Sequence, residues 1–498
     1  MRKTKLGALL SAAALAGCTV GPNYHPPETA TPSSFAEQQG APAPGANIDP
    51  ATWWTAFGDP RLNTLIGAAL KDNPSIAIAA SRVRQARLQE IVARAQDKPT
   101  INADANVTDV KFSKNAGFAS LARLFGGSSG GSGSGSGSSG SAGGVALPGD
   151  NITTYAIGFD ANWELDLFGG ARRGVEGALA RTEAAVWNQR DAAVTLAAEV
   201  AQAYFALRLD QDQKQVIEDE LVRQRRVLEI SGHIAKVGLV PQVDVTRQRS
   251  SVTSLQAELE PINADLRVRI HALGILTGAQ PEALIGQLDQ PGAALGPAPA
   301  IPAGLPSDLL RRRPDIRAAE RQLAASTADI GVAVSDLYPK FSLTGMAQLI
   351  SASLGNLFSG DSLQLTGTAA ATFPILDWGR RKATVKMRKE QSEEAYQTYR
   401  MTVLQALKDV EDQLAQIDAE RRRNAALQEA AKDAESTARS VEARYKTGFV
   451  AQDSLLDAET QVLKAREQLS QSDAQLRQDT AGLFKAIGGG WSEVGSGG

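Results

Sequence analysis

The chain is written twice, at two different spacings. Asn73-Pro74-Ser75-Ile76 resembles Arg313-Pro314-Asp315-Ile316, 240 residues further on, and Lys98-Pro99 resembles Tyr338-Pro339 at the same spacing. Beyond these, Phe168-Gly169 matches Trp378-Gly379, and Val237-Gly238-Leu239-Val240 matches Thr447-Gly448-Phe449-Val450, both 210 residues on. Leu273 and Gly278 match Leu483 and Gly488, again at 210. Self-similarity at a fixed spacing marks one supersecondary unit used twice. The step from 240 to 210 is an insertion of 30 residues in the first copy, between Pro99 and Phe168. That interval holds Gly126 to Gly144, almost pure Gly and Ser. Such a segment reads as a flexible loop, and it lacks the Lys-Ser/Thr of a phosphate-binding loop.

Each copy opens on a helix, over about residues 75–96 and 315–336. Pro74 and Pro314 suit the first turn, and Pro99 and Pro339 mark the ends. Two segments of period two follow in each copy. In residues 101–108, Ile101, Ala103, Ala105 and Val107 alternate with Asn102, Asp104, Asn106 and Thr108. Residues 154–163 repeat the pattern, with Tyr155, Ile157, Phe159 and Trp163 on one face. The second copy does so over 341–349 and 363–373. Alternation over about ten residues marks strands with one apolar and one polar face, long enough to cross a bilayer. The expected strands are 100–110, 153–165, 340–350 and 363–374. Then comes a Pro-free helix, over 171–235 and 380–445, on the order of 100 Å at 1.5 Å per residue. A turn at Gly238 and Gly448 leads to a returning helix, 242–276 and 452–486. The Leu/Val/Ala spacing within 191–230 is a packing seam.

The amino terminus is an address. Residues 1–18 read MRKTKLGALLSAAALAGC, a basic start and an apolar run too short to span a bilayer. Leu15-Ala16-Gly17-Cys18 matches the bacterial lipoprotein box, in which cleavage precedes the cysteine and the thiol is acylated. Residue 19 is Thr and not the Asp that retains lipoproteins in the inner membrane, so the outer membrane is the expected destination. The expected organisation is a signal peptide 1–17, a lipidated tether 18–60, a first repeat 61–290, a linker 291–304, a second repeat 305–490 and a tail 491–498.

Composition narrows the function. Hydrophobic residues are 43%, enough for a core, and aromatics are only 5%, which favours long helices over an aromatic-lined pocket. Without the signal peptide's Arg2, Lys3 and Lys5, 49 basic residues face 55 acidic ones, which argues against a nucleic-acid partner. Cys18 is the single cysteine, and His25, His233 and His271 lie far apart, so no metal site or other cofactor is expected. There is no His-Glu-x-x-His and no other catalytic constellation. Arg311-Arg312-Arg313 reads as a solvated charge run at a helix start. Four strands with open edges cannot stand alone in hydrocarbon. They demand a closed barrel of eight, twelve or sixteen strands, from two, three or four chains.

With these residues in hand, the chain resembles the outer membrane efflux proteins of the TolC, OprM and NodT group, in its lipoprotein branch. The resemblance covers about residues 53–491. It rests on Trp53-Trp54 with Phe57 and Asp59, the run Trp163-Glu-Leu-Asp-Leu-Phe-Gly169, its counterpart Phe373-Pro-Ile-Leu-Asp-Trp-Gly379, Tyr445-Lys-Thr-Gly448 and the ending Gly488-Gly-Gly-Trp491. It implies a trimeric twelve-stranded outer membrane β-barrel on a long periplasmic α-helical barrel, with the loops Lys111–Asn151 and Ser351–Asp361 outside the cell. It also implies a passive exit duct fed by a periplasmic adaptor and an inner-membrane pump of the RND type. Val237, Gly238 and Leu239, with Thr447, Gly448 and Phe449, match the family's adaptor-contacting tip. Asp453 and Asp457 are candidates for a periplasmic gate, against the reading of a solvated helix face. Cargo stays open: drug, metal ion, metabolite or polypeptide. Two other readings remain at this stage, a coiled-coil lipoprotein that forms no channel and a type I protein-secretion duct.

Overall fold

The computed structural model describes residues 19–29, 32–37, 48–111, 151–238, 241–299, 308 and 311–491. Cys18, Leu239 and the Gly/Ser run lie outside them. In chain order the longer elements are α1 (Pro60–Asp72), α2 (Pro74–Ala95), β1 (Thr100–Lys111), β2 (Asn151–Leu165), α3 (Gly170–Lys236), α4 (Gln242–Leu276), α5 (Pro314–Ser335), β3 (Lys340–Ser351), β4 (Leu363–Thr372), α6 (Arg380–Lys446) and α7 (Gln452–Ala486).

The two copies agree element by element. α2 and α5 have 22 residues each and β1 and β3 have 12 each, all starting 240 apart. α3 and α6 have 67 residues each and α4 and α7 have 35 each, starting 210 apart. Local chemistry sets the starts. Asp59 accepts from the amide of Arg61 at 2.8 Å ahead of Pro60, and Asn73 accepts from the amide of Ser75 at 2.7 Å ahead of Pro74. A capping oxygen followed by Pro in the first turn is a strong helix-start signal.

The chain divides into two compact units. The first comprises residues 1–23, 90–176 and 328–389. Its centre is an antiparallel sheet in the order β1-β2-β3-β4. Asn102 opposes Asp160, Asp160 opposes Met346, and Met346 opposes Thr366. Opposed residues share a face, so the alternation of all four strands is brought into phase. One face carries Ile101, Phe159, Ala347 and Leu365. The other carries Asn102, Asp104, Asp160, Asn162, Thr344, Gln348 and Gln364, with Asn102 Nδ2 donating to Asp160 at 3.1 Å and Gln348 Nε2 to Gln364 at 3.2 Å. β1 and β4 are the two edges.

The segment after Cys18 is extended but held in place. The amide of Val20 donates to the Phe168 carbonyl at 3.1 Å. Buried Arg173 donates to the Val20 carbonyl at 3.3 Å and to Asn23 Oδ1 at 2.6 Å. A side chain on Gly21 would strike the Gly331 backbone at 2.5 Å.

The second unit comprises residues 24–89, 177–327 and 390–498. Here the amino-terminal strap continues, with Tyr24 donating to Glu320 at 3.1 Å, Phe35 buried, and the amides of Ala36 and Glu37 donating to Glu411 at 2.8 and 3.0 Å. The core gathers Trp53 and Phe57 with Leu62 and Ile66 of α1, Val200 and Phe205 of α3, Leu273 of α4, Val403 and Val410 of α6, and Phe484 of α7. Trp53 is 0% exposed and stacks on Phe484 at 4.9 Å. Tyr204 donates to Asp59 at 2.5 Å, and burial beside that carboxylate raises the phenol's pKa, which keeps it a donor. The marks Trp53, Phe57 and Asp59 are therefore packing and capping residues. One window of α3 is apolar enough to cross a membrane, but Ala197, Val200, Ala201 and Phe205 are buried as the seam of this core. Arg313 corrects the reading of a solvated charge run. It turns inward and binds Asp315 at 2.6 Å, Asp409 at 3.1 Å and the Ala486 carbonyl at 3.0 Å. Arg311 makes an exposed pair with Asp308 at 3.0 Å.

Candidate functional site: the helical turns and the layer behind them

The long helices end in two turns built alike. α3 ends at Lys236, and Gly238 takes φ +76, its amide donating to the Ala235 carbonyl at 3.0 Å. α6 ends at Lys446, and Gly448 takes φ +76, its amide donating to the Tyr445 carbonyl at 2.9 Å. A left-handed residue closes a helix at least cost when it is Gly. Among the described residues a Cβ at either glycine would meet no atom within 4 Å, so conformation and not crowding selects the residue. Beside the glycines, Val237 is 69% and Phe449 83% exposed. Thr447 folds back on the helix, its hydroxyl donating to the Ala443 and Arg444 carbonyls at 3.2 and 3.0 Å.

Of the two acids near the turns, Asp453 is engaged. Arg247 Nη1 of α4 reaches it at 2.5 Å, and Asp244 at 3.6 Å. The pair joins a helix of the first copy to a helix of the second. It is exposed on both sides, so its worth in stability is small, about 0–1 kcal/mol. Asp457 is exposed on α7. The sequence names neither Arg247 nor the polar layer behind it. Gln248 of α4 is 0% exposed. It donates to Gln224 of α3 and accepts from Gln452 of α7 at 2.8 Å. Gln224 in turn donates to Glu220 at 2.7 Å and to Glu459 of α7 at 2.6 Å. Glu459 sits four residues from Leu455 and four from Leu463, on the apolar stripe of α7, where a carboxylate breaks the pattern. That break is the signal by which the sequence could have found it. A cavity of about 250 Å³ adjoins it, lined by Glu220, Arg223, Arg439, Glu442 and Arg466. Burial, and then the neighbouring Glu220, push the Glu459 carboxyl up to about 7, against the lowering effect of Gln224 and Arg223. Among the described residues no His/Cys/Asp/Glu group suits a metal ion.

A family model described as outer membrane efflux protein matches the chain twice, over residues 65–279 and 305–489. The chain belongs to the outer membrane efflux protein family. The two matches start 240 and end 210 residues apart, the spacings of the internal repeat. Outer membrane protein OprJ of Pseudomonas aeruginosa is 30% identical over 510 residues, covering 99% of this chain and 98% of OprJ. The probable outer membrane lipoprotein SilC of Salmonella typhimurium is 27% identical, covering 99% of this chain and 100% of SilC. The solved outer-membrane channel OprN superposes with a TM-score of 0.82 at 29% identity, over 95% of this chain and 100% of OprN. The efflux protein described here therefore has the α-barrel and β-barrel fold of outer-membrane channels and works at the outer membrane as an exit duct. Its family is one of channels and not of enzymes.

Proposed function

We propose that three copies of this chain close their sheets into one twelve-stranded barrel and form the passive outer membrane duct of a tripartite efflux system. The observation that carries this is the sheet itself. It has one apolar face, one polar face and two unpaired edges. In hydrocarbon, each unpaired backbone group costs several kcal/mol, so the edges must meet edges. Asn, Thr, Gln and Asp then face the lumen and the apolar face meets lipid. Cys18 carries the acyl anchor, in line with the lipobox. A periplasmic adaptor, itself bound to an inner-membrane pump of the RND type, engages the turns through Val237, Gly238 and Leu239 and through Thr447, Gly448 and Phe449. Asp453 helps to hold the duct's end shut through Arg247, and Asp457 lies on the same face of the turn region. The duct transmits what the pump delivers, so its cargo is set elsewhere.

The test is Gly238→Leu. A Cβ at Gly238 meets no described atom within 4 Å, and a left-handed non-glycine costs only about 1–2 kcal/mol, so the oligomer is expected to survive. Cross-linking to an adaptor of the same cell is expected to fall severalfold while the oligomer's yield is unchanged. Equal loss of both would reduce Gly238 to a turn residue and remove the contact role.

A further inference from the structure

The internal repeat fixes the junction between copies, residue by residue. Register is itself repeated. The pair Asn102↔Asp160 of β1 and β2, moved on by 240 and 210 residues, becomes Ser342↔Ala370, which is the pair that β3 and β4 make. One pairing, β2 with β3, has no counterpart inside the chain. Its counterpart joins β4 to a β1, and the chain's own β1 lies at the opposite edge of the sheet. Three strand spacings separate those edges, about 14 Å.

We infer that the β4–β1 junction of that barrel takes the register that β2–β3 dictates, and that Trp378 anchors it on the partner's Lys98. Shifting Asp160↔Met346 gives Ala370 opposite Asn106 of the next copy, and shifting Ala161↔Gly345 gives Ala371 opposite Ala105. Shifting Trp163↔Leu343 and Leu165↔Phe341 gives Phe373 opposite Ala103 and Ile375 opposite Ile101. Ala371, Phe373 and Ile375 then meet Ala105, Ala103 and Ile101 on the apolar face, while small Ala370 lies opposite Asn106 on the other. A register displaced by one residue would swap the faces.

Two further observations agree. β2 runs for 15 residues to Leu165, whose counterpart is Ile375, whereas β4 stops after 10 at Thr372. The missing stretch includes Phe373 and Ile375, 60% and 89% exposed, on either side of Pro374, which has no amide to give a ladder and suits a strand end. Second, Phe168 stacks on Tyr338 at 4.7 Å. The same shift carries that contact to Trp378 and the next copy's Lys98. In the single chain Trp378 is 91% exposed, whereas its counterpart Phe168 is half-buried against Tyr338. An ammonium against an indole face supplies a matching cover for it.

This inference rests on the barrel proposed above, and the test separates the two. The double variant Asn106→Cys with Ala370→Cys is oxidised in outer membranes and run under denaturing, non-reducing conditions. Opposed cysteines on antiparallel strands lie within disulfide reach, so covalent dimers and trimers are expected. The control, Asn106→Cys with Thr368→Cys, displaces the pair by two residues and should give at least tenfold less. Equal cross-linking in the control, or none in the first variant while the extracted particle still holds three chains, overturns the register and leaves the barrel standing. Absence of any oligomer of the wild-type chain overturns the barrel itself. If either cysteine variant does not fold, Lys98→Glu replaces it. The oligomer of that variant should dissociate at a lower temperature and that of Lys98→Arg at the wild-type temperature. Equal behaviour of Lys98→Glu and wild type removes the anchor.

Discussion

A Cys18→Ala chain is expected to take up no radioactive palmitate, where the wild-type chain is labelled. The thiol of Cys18 is the chain's single sulfhydryl, and it stands at the cleavage position of the lipobox. No other side chain offers the enzyme a thiol, so the effect is all or none. The same variant should stay in the membrane fraction. One acyl chain gives only marginal membrane binding, whereas four strands per chain with an apolar face hold the duct in place by themselves. The residues that follow Cys18 are moreover tied down, with Val20 bonded to Phe168 and Arg173 to Asn23. Undiminished labelling of Cys18→Ala would contradict the lipoprotein assignment.

Glu459→Gln is expected to abolish a pH slope in stability. The Glu459 carboxyl is raised from 4.5 to about 7 by burial and by Glu220. Between those values the folded chain binds a proton that the unfolded chain does not. Stability is therefore full below pH 4.5, falls as pH rises through the window, and levels off above 7. One proton gives at most about 1.4 kcal/mol per pH unit, and less here because the side chain keeps some contact with water. Every element packed around the group bears on it: Glu220 and Arg223 from α3, Glu442 from α6, and the Gln224 amide that Glu459 shares with Glu220. Glutamine keeps an acceptor for Gln224 and carries no charge. Chemical unfolding from pH 4.5 to 8 should show the wild-type slope and a flatter variant, with Glu459→Gln the more stable at pH 8. Parallel curves would place the slope on other groups.

The parts of the fold that repeat locally are legible without coordinates. Period-two alternation locates all four strands, because Ile101 to Val107 and Phe341 to Leu349 leave no other way to separate apolar from polar. Prolines and the two turn glycines bound the helices to within a residue or two. Long-range partners are different. The repeat sets Arg313 opposite Asn73, but nothing local shows that it turns inward, which depends on Asp409, 96 residues away. Arg247 and Asp453, 206 residues apart, meet only because two helices of different copies run side by side. The start, rich in Pro from Pro22 to Pro50, reads only as an extended tether because it lacks periodicity. It is held instead by individual hydrogen bonds to Phe168, Glu320 and Glu411, which leave no pattern in composition. Glu459 is the intermediate case, a charge on an apolar stripe that the sequence displays without explaining.

The claim that open sheets close into one duct is tested most directly by the mass of the particle extracted from outer membranes in mild detergent. Three chains of 52.5 kDa, about 150 kDa of protein after loss of the signal peptide, are expected in a closed oligomer. A monomer that leaves the membrane without detergent once Cys18 is replaced would contradict it, since its strands could not then be spanning the bilayer.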